Sequence, residues 1–448
     1  MTHRQTRRTF LRAAALGAAG AAAAPSALFA KGPKKKPESG KGEVDLDAWN
    51  PDNNWSEPNG LTGEPLVLPE WSHGDTSSAA STMLMFRGNP SHTFYGTGPL
   101  SEKPELVWSQ QLARFHTKLR GRKVTWTGTG WSGQPVKIGG YVFVGGQGGY
   151  AYAFDAATGE IKWRYRGARM FKGSICAFEN TLFMGNTDNY YRGVDAATGK
   201  ELWKIDTGTD IDSSGVVVGG RLYVAGESGY LRCLNPKTGK HFWKTDIGGT
   251  GKGTKGGSNG SETSPAIADG EIFAATYDGF MYCVDQATGE IKWRCETGDD
   301  TDASPVVVDD LVYIAAEEKS PKLFCFDRTK KGAEVWSLNN RKGWWSTPAV
   351  VGDRLYVGGN DGKVYCLDAK SGKEIWVHDA GHAVWSSPAV VDGKVVVGTR
   401  GRHLIMLEAK SGKRIWKGDM GGRTLSTPIV VDGAIYVGSS AGKFQCFK

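Results

Sequence analysis

Charged and aromatic side chains recur at equivalent positions of a repeated sequence unit, and their chemistry differs between the two halves of the repeat region. Carboxylates stand at Asp210, Asp212, Glu262, Asp300 and Asp302. Oxygen-rich sets of this kind bind hard divalent cations such as Ca²⁺. In other repeats the position carries tryptophan with basic residues nearby, which suits a planar anionic ligand. The candidate ligand-binding residues are Trp131, Lys172, Asp212, Glu262, Asp302, Trp345, Trp385 and Arg423.

The same residues also fit an ordinary polar funnel filled with water, because charged side chains on loops are usually solvated. Two long loops, residues 113–130 and 248–261, are expected on the same face, where binding residues often lie. The chain contains no HExxH, P-loop or paired-cysteine metal motif. The sequence therefore assigns no catalytic residue and leaves the identity of any metal open.

Repeats of about 40 residues must position these side chains. Seven segments combine a turn of the Asp-x-x-Thr-Gly type with a following tryptophan, as in AFDAATGEIKW (153–163) and CLDAKSGKEIW (366–376). In such a turn the acidic side chain caps the backbone and glycine adopts a positive φ. Successive tryptophans are 40, 40, 50, 43, 40 and 40 residues apart. This period, with only short alternating segments between turns, predicts four-stranded propeller blades.

The two ends of the repeat region complement each other. Residues 426–448 supply three strands without a tryptophan strand, and residues 104–112 supply a tryptophan strand without a blade. Pairing them predicts an all-β, eight-bladed propeller of four-stranded antiparallel blades, in which an N-terminal strand completes the C-terminal blade. This closure removes exposed sheet edges. Tryptophans with a structural role at the blade seams are expected at Trp108, Trp163, Trp203, Trp243, Trp293, Trp336, Trp376 and Trp416.

The distribution of charge argues against a nucleic-acid partner. The net charge is +8, but residues 1–30 hold four arginines and no acid. The other four positive charges are Lys31, Lys34, Lys35 and Lys36. The remaining sequence is neutral and offers no basic face for phosphates. Five of the seven cysteines share one position of successive repeats, so they are expected to be buried and too far apart for disulfides.

Residues 1–30 have the pattern of an export signal. Arg7-Arg8, followed by Phe10-Leu11 and an alanine-rich stretch, resembles a twin-arginine signal. An ordinary secretory signal with a chance Arg-Arg pair is the alternative. No apolar run reaches the roughly 18 residues of a membrane span. Residues 31–82 are predicted to form a flexible linker or arm, and residues 83–448 the propeller. We expect a monomer in the periplasm or another extracytoplasmic compartment.

The repeats resemble the pyrroloquinoline-quinone-like (PQQ-like) propeller family. The resemblance is carried by Ser-Pro-Ala-Val at 387–390 and Leu-Asp-Ala-x-Ser-Gly-Lys-x-x-Trp at 367–376. The segment MFRGNPSHT at 85–93 is similar to one that precedes many such propellers. The resemblance covers about residues 83–448 and implies the propeller fold, whereas function depends on the branch of the family.

Two branches of this family have different functions. The BamB-like branch is non-enzymatic and assists outer-membrane protein assembly through protein contacts. Its members are lipoproteins, whereas this leader has no cysteine before Cys176. The quinoprotein dehydrogenases bind the quinone with Ca²⁺ above the channel, use an aspartate as base, and usually carry an adjacent cysteine pair that this chain lacks.

We therefore expect an exported, non-catalytic binding scaffold that contacts envelope proteins and needs no cofactor. The alternative is a PQQ-dependent dehydrogenase that binds quinone and Ca²⁺ at the mouth of the central channel. A sugar-binding module that uses the tryptophan-lined funnel is a third hypothesis.

Overall fold

The computed structural model describes residues 60–61, 64–69, 82–119, 122–130, 133–248, 260–317 and 321–448. Within these ranges the regular structure is almost entirely β-strand, apart from a short 3-10 turn at Arg328–Lys330. No helix of the described ranges is long and apolar enough to cross a membrane. The strands form eight four-stranded antiparallel blades, which confirms the predicted all-β propeller.

The strands follow one another from the inner to the outer edge of each blade. Before the first full blade come β1 (Gly60–Leu61), β2 (Thr82–Met83), β3 (Leu106–Gln111), β4 (Arg114–Leu119) and β5 (Arg122–Thr127). Blade 1 contains β6 (Val136–Ile138), β7 (Tyr141–Gly145), β8 (Tyr150–Asp155) and β9 (Ile161–Arg166). Blade 2 contains β10 (Cys176–Phe178), β11 (Thr181–Gly185), β12 (Tyr190–Asp195) and β13 (Glu201–Asp206). Blade 3 contains β14 (Val216–Val218), β15 (Arg221–Val224), β16 (Tyr230–Leu234) and β17 (His241–Asp246).

The remaining five blades repeat this order. Blade 4 contains β18 (Ala266–Ala268), β19 (Glu271–Ala275), β20 (Phe280–Asp285) and β21 (Ile291–Glu296). Blade 5 contains β22 (Val306–Val308), β23 (Leu311–Ala315), β24 (Lys322–Asp327) and β25 (Ala333–Asn339). Blade 6 contains β26 (Ala349–Val351), β27 (Arg354–Gly358), β28 (Lys363–Asp368) and β29 (Glu374–Asp379). Blade 7 contains β30 (Ala389–Val391), β31 (Lys394–Gly398), β32 (His403–Glu408) and β33 (Arg414–Asp419). Blade 8 contains β34 (Ile429–Val431), β35 (Ala434–Gly438), β36 (Lys443–Phe447) and β3.

The turn before each outer strand and the tryptophan on that strand act together at the blade seam. In blade 2, Gly199 has a φ of 72°, and a Cβ atom there would lie 2.8 Å from the Trp163 ring of blade 1. The Trp163 indole N–H also donates to the carbonyl of Ala196 in that turn, at 2.9 Å. The turn therefore needs glycine both for its backbone and for the ring that covers it. The structure places all eight expected tryptophans on outer strands: Trp108, Trp163, Trp203, Trp243, Trp293, Trp336, Trp376 and Trp416.

The N-terminal strand β3 closes the propeller by pairing with β36, so that Trp108 faces Cys446. This confirms the predicted completion of the last blade. The Trp108 ring stacks on Phe154 of blade 1, with the ring centroids 5.9 Å apart. Its indole N–H donates to the carbonyl of Ala156 at 3.0 Å. Blade 8 is therefore fastened to blade 1 by the same contact that joins the other blades.

Residues 82–100, here called the central segment, run through the channel and bond to the inner strands. Inner strands leave backbone groups on their free edge, and buried groups of this kind need partners. Carbonyls of Leu84, Pro90 and Ser91 accept hydrogen bonds from the inner strands of blades 2, 4 and 5. Strand β2 pairs with β6 of blade 1, and Gly96 bridges to Val430 of blade 8. The segment therefore ties together blades that are distant in the sequence.

Arg87 holds the middle of the central segment. Its guanidinium donates to the carbonyls of Thr347, Pro348 and Pro388, which precede the inner strands of blades 6 and 7. The side chain is buried and lies 4.7 Å from the Tyr95 ring centroid. Burial lowers the pKa of Arg87 to about 10, so it remains charged at neutral pH. The central segment thus closes the channel beneath its mouth, the end lined by residues directly before the inner strands.

Part of the predicted arm contacts blades 1 and 2. Strand β1 pairs with β9, with Leu61 opposite Trp163. Leu66 is buried, and its N–H donates to the carbonyl of Ala197 at 3.0 Å. Apart from residues 60–61 and 64–69, residues 31–81 lie outside the described residues, as does the predicted signal, residues 1–30.

The first predicted long loop contains regular structure. Strands β4 and β5 form a hairpin, with Phe115 opposite Trp126. These two side chains are buried against Met170, which leads into the inner strand of blade 2. Of the second predicted loop, residues 249–259 lie outside the described residues.

Candidate functional site

The channel mouth is lined by the predicted residue before each inner strand. This inner-strand ring comprises, in the described blades, Lys172, Asp212, Glu262, Asp302, Trp345, Trp385 and Leu425. Arg423, also predicted, lies two residues before Leu425 and is half-buried. Trp131, the predicted member from blade 1, lies outside the described residues.

A series of hydroxyl groups, each bonded to the neighbouring blade, fixes the positions of these residues relative to one another. The backbone N–H of Ser174 donates to Ser214 Oγ at 2.9 Å, and that of Ser214 donates to Ser264 Oγ at 3.0 Å. The same bond continues from Ser264 to Ser304 and from Ser304 to Thr347. Each hydroxyl satisfies a buried N–H of the neighbouring blade. The mouth is therefore a rigid support rather than a set of independent loops.

A second ring at the mouth was missed by the sequence analysis. It consists of one residue from the turn between the second and third strands of each blade, bonded to the segment before the inner strand. For example, the N–H of Glu227 donates to the carbonyl of Asp210, and that of Arg400 to the carbonyl of Ala383. The members of this turn ring are Gln147, Thr187, Glu227, Tyr277, Glu317, Asn360, Arg400 and Ser440. Comparing the repeats at this position would have revealed the turn ring from the sequence.

Blades 3 to 5 form an acidic half of the mouth. It contains two carboxylate triads in which one oxygen of each member lies within 4.8 Å of the others. The triads are Asp212, Glu227 and Glu262, and Asp300, Asp302 and Glu317. Lys172 forms a salt bridge with Asp212, and the Tyr277 hydroxyl donates to Oε1 of Glu262. Each triad thus combines both rings.

Burial strongly perturbs the protonation of this half. Burial raises the pKa of Asp212 to about 7, although the Lys172 ammonium opposes the change. Burial, followed by the neighbouring carboxylates, raises the pKa of Glu227 and Glu317 well above the ordinary value. Burial by itself lowers the pKa of Lys172, but Asp212 and the acids around it have the larger, opposite effect. The pKa of Lys172 therefore lies above its ordinary value. At neutral pH the acidic half therefore holds protons or a compensating cation.

Blades 6 to 8 form an aromatic and basic half. The ring centroids of Trp345 and Trp385 are 3.9 Å apart, and the Arg400 guanidinium carbon lies 3.9 Å from the Trp385 centroid. Trp345 and Arg400 thus both lie against the Trp385 ring, which is 3% exposed. Burial, with a contribution from Arg423, lowers the pKa of Arg400 to about 10. The predicted acidic arc thus lies across the mouth from a tilted pair of tryptophan rings and an arginine.

Comparison with known proteins identifies the family. The model for the outer membrane protein assembly factor BamB matches residues 101–337 and 325–446, from the closing strand β3 to β36. The chain belongs to this family. The expected membership of the PQQ-like, BamB-like repeat family is thereby confirmed. No curated protein sequence matches the chain.

Solved structures with the same fold come from both branches of the family. The BamB structure from Moraxella catarrhalis is 19% identical, with 77% of this chain and 99% of that chain covered and a TM-score of 0.57. A europium-containing methanol dehydrogenase is 16% identical, covering 80% and 89%, with a TM-score of 0.66. The quinohemoprotein alcohol dehydrogenase from Comamonas testosteroni is 14% identical, covering 82% and 80%, with a TM-score of 0.66. At these identities the likeness extends to the fold alone.

Proposed function

We propose that this member of the BamB family is an exported, non-catalytic scaffold that binds another protein in the cell envelope. The observation that carries the proposal is the family match, which spans the propeller from its closing strand to its last strand. The Arg7-Arg8 leader supports export. The rigid mouth supports binding, because a preorganised surface loses little conformational entropy on association.

The basic side of the mouth is the surface that would meet this partner. Exposed Lys342 and Arg402 stand beside half-buried Arg400 and Arg423 on blades 6 to 8. Exposed positive charge on one side of a surface steers a complementary acidic segment and sets its orientation. The partner that fits this surface is a protein with an exposed acidic segment.

The Lys342→Glu/Arg402→Glu double variant tests this contact. Purified full-length chain is used to capture solubilised envelope proteins of the source cell, and the captured species are compared by mass spectrometry. We expect the double variant to lose a species that the unchanged protein retains, because four units of charge are altered at the mouth. Lys413→Glu/Arg414→Glu, with the same charge change at exposed positions of blade 7, serves as control. Equal capture by both variants would contradict a contact at the mouth.

The quinone-dependent dehydrogenase is the competing function. The carboxylate triads favour it, since such enzymes pair the quinone with Ca²⁺. The aromatic half does not fit, because the Trp385 ring is buried against Trp345 and Arg400 and is not open to a planar quinone. We expect addition of PQQ and Ca²⁺ to give neither saturable quinone binding nor dye-linked alcohol oxidation. Saturable binding accompanied by turnover would overturn the scaffold proposal.

A further inference from the structure

The β4–β5 hairpin is an addition that the blades themselves do not require. Residues 167–175 suffice to join blade 1 to blade 2, whereas residues 112–135 join blade 8 to blade 1. The hairpin stands in this longer connection, beside the channel mouth. The N–H of Gln147, a member of the turn ring, donates to the carbonyl of Gly128 directly after the hairpin. An element that is anchored at the mouth but not needed for the blades is a candidate for binding.

The two faces of the hairpin differ in chemistry. Successive side chains of a strand point to opposite faces, and the register pairs Phe115 with Trp126 on one of them. Both of these side chains are buried against Met170. The opposite face carries Arg114 and Lys123, which are exposed. The hairpin therefore turns an apolar face towards the protein and a basic face towards solvent.

The connection that forms the hairpin is strongly basic. Residues 112–135 contain three arginines, two lysines and no aspartate or glutamate. The register also places Lys118 opposite Lys123, and like charges at opposite positions destabilise a strand pair. An anionic partner would offset this cost, because opposite charges across an interface attract each other.

The loop on which the hairpin rests extends the positive charge. Arg169 is exposed and directly precedes Met170. Asp188 also reaches this loop, where it accepts a hydrogen bond from the N–H of Ala168. Its carboxylate forms a salt bridge with Arg192, so its negative charge is already compensated. The hairpin face and Arg169 thus form one basic surface beside the mouth.

The shape of the hairpin favours an extended protein segment. Among the strands of the described ranges, β4 and β5 pair only with each other. A two-stranded hairpin is marginally stable, and a segment that pairs with its edge adds backbone hydrogen bonds. Alternate side chains of such a segment would point to the basic face. The hairpin residues whose burial is described expose no large apolar side chain, which disfavours a membrane surface.

We propose that the β4–β5 hairpin binds an extended acidic segment of the envelope partner as a third strand, with its carboxylates directed to Arg114, Lys123 and Arg169. The protein nature of the partner rests on the proposed function. The contact itself is separate from the one at Lys342 and Arg402, which belong to blades 6 and 7.

Fluorescence polarisation with a labelled synthetic peptide of eight Thr-Glu repeats tests the proposal. We expect saturable binding to purified full-length protein in 50 mM NaCl, which Arg114→Glu/Lys123→Glu should weaken at least tenfold. Lys413→Glu/Arg414→Glu, the matched charge change at exposed positions of blade 7, should bind like the unchanged protein. A Thr-Gln peptide should not bind, because it offers no carboxylates to the basic face.

Two further measurements separate binding from folding. Arg169→Glu lies outside the hairpin and should weaken binding at least threefold, whatever the stability of the double variant. Saturating Thr-Glu peptide should slow amide hydrogen exchange in β4 or β5 and leave the strands of blade 7 unchanged. Absence of saturable binding, or equal affinity in the unchanged protein and both variants, would overturn the proposal.

Other occupants of the hairpin would give different results. Loss of peptide binding in Lys342→Glu/Arg402→Glu alone would assign the acidic segment to the mouth and overturn the hairpin contact. Binding of the hairpin to phosphatidylglycerol vesicles in place of the peptide would also overturn it. Failure of the proposed function would appear separately, as the absence of any envelope protein captured by the unchanged chain.

Discussion

At the scale of single residues, His92 shows how the central segment restricts protonation. Its Nδ1 lies 2.7 Å from the carbonyl of Pro305, and its ring is buried edge-on against Phe86. Burial lowers the pKa of His92 to about 3, and the nearby Arg87 charge acts in the same direction. The folded protein therefore holds this imidazole neutral, whereas the unfolded chain protonates it near pH 6.5.

This difference predicts a loss of stability on acidification. Because the folded-state pKa lies below the unfolded value, the contribution of His92 is complete above about pH 6.5. It declines by up to ~1.4 kcal/mol per pH unit as the pH falls towards about 3. Urea unfolding at pH 7.5 and 5.5 should show a smaller decrease in the free energy of unfolding for His92→Asn, because asparagine does not take up a proton. Asparagine is chosen because it tolerates the positive φ at this position. Parallel decreases in the unchanged protein, this variant and the exposed His382→Asn control would contradict the prediction.

At the scale of elements, the seam contact predicts which tryptophan matters most for closure. Trp108 is buried between blades 8 and 1 and donates to Ala156, whereas Trp416 is half-buried against Phe447. We expect Trp108→Ala to lower the free energy of unfolding by ~3–5 kcal/mol. Trp416→Ala should cost less, because less apolar surface is lost. Urea unfolding followed by circular dichroism measures both, and equal losses would argue against the importance of closure.

Some strands and turns of the structure could be predicted from the sequence, and others could not. The Asp-x-x-Thr-Gly turns and the tryptophan period gave the blades, and the unmatched strand around Trp108 gave the closure. Those signals are local or periodic. The β4–β5 hairpin was missed because its strands have no counterpart in other repeats. The central segment was missed for a related reason, since its bonds join positions such as Leu84 and Ala177 that no short sequence pattern connects.

The candidate site was predictable in part for the same reasons. Repeat register located the inner-strand ring, including Asp212 and Glu262. It would also have located Glu227 and Arg400 if the turn between second and third strands had been compared. How the ring residues meet depends on distances between blades, as between Trp345 before the inner strand of blade 6 and Trp385 before that of blade 7. Sequence spacing within one blade does not contain those distances.

At the scale of the whole molecule, the central segment fastens blades 6 and 7 through one buried arginine. Arg87→Leu would remove the donor for three buried carbonyls, and one unsatisfied buried group costs ~1–3 kcal/mol. We expect a loss of at least ~3 kcal/mol in the free energy of unfolding. Hydrogen exchange should accelerate at the inner strands of blades 6 and 7 before the outer strands. The exposed Arg414→Leu is the control, and unchanged exchange in Arg87→Leu would contradict this role.

The pairing of β3 with β36 also sets the order of events during biosynthesis. The ribosome makes the closing strand before any full blade, and makes its partner β36 only after blades 1 to 7. Blades 1 to 7 have all their strands while synthesis continues, but the strand that carries Trp108 cannot pair until the strand that carries Cys446 has been made. Throughout that interval the nascent chain has an incomplete eighth blade and an unpaired strand edge. Closure therefore follows synthesis of the seven other blades, and chaperone demand for this protein should be greatest just before it.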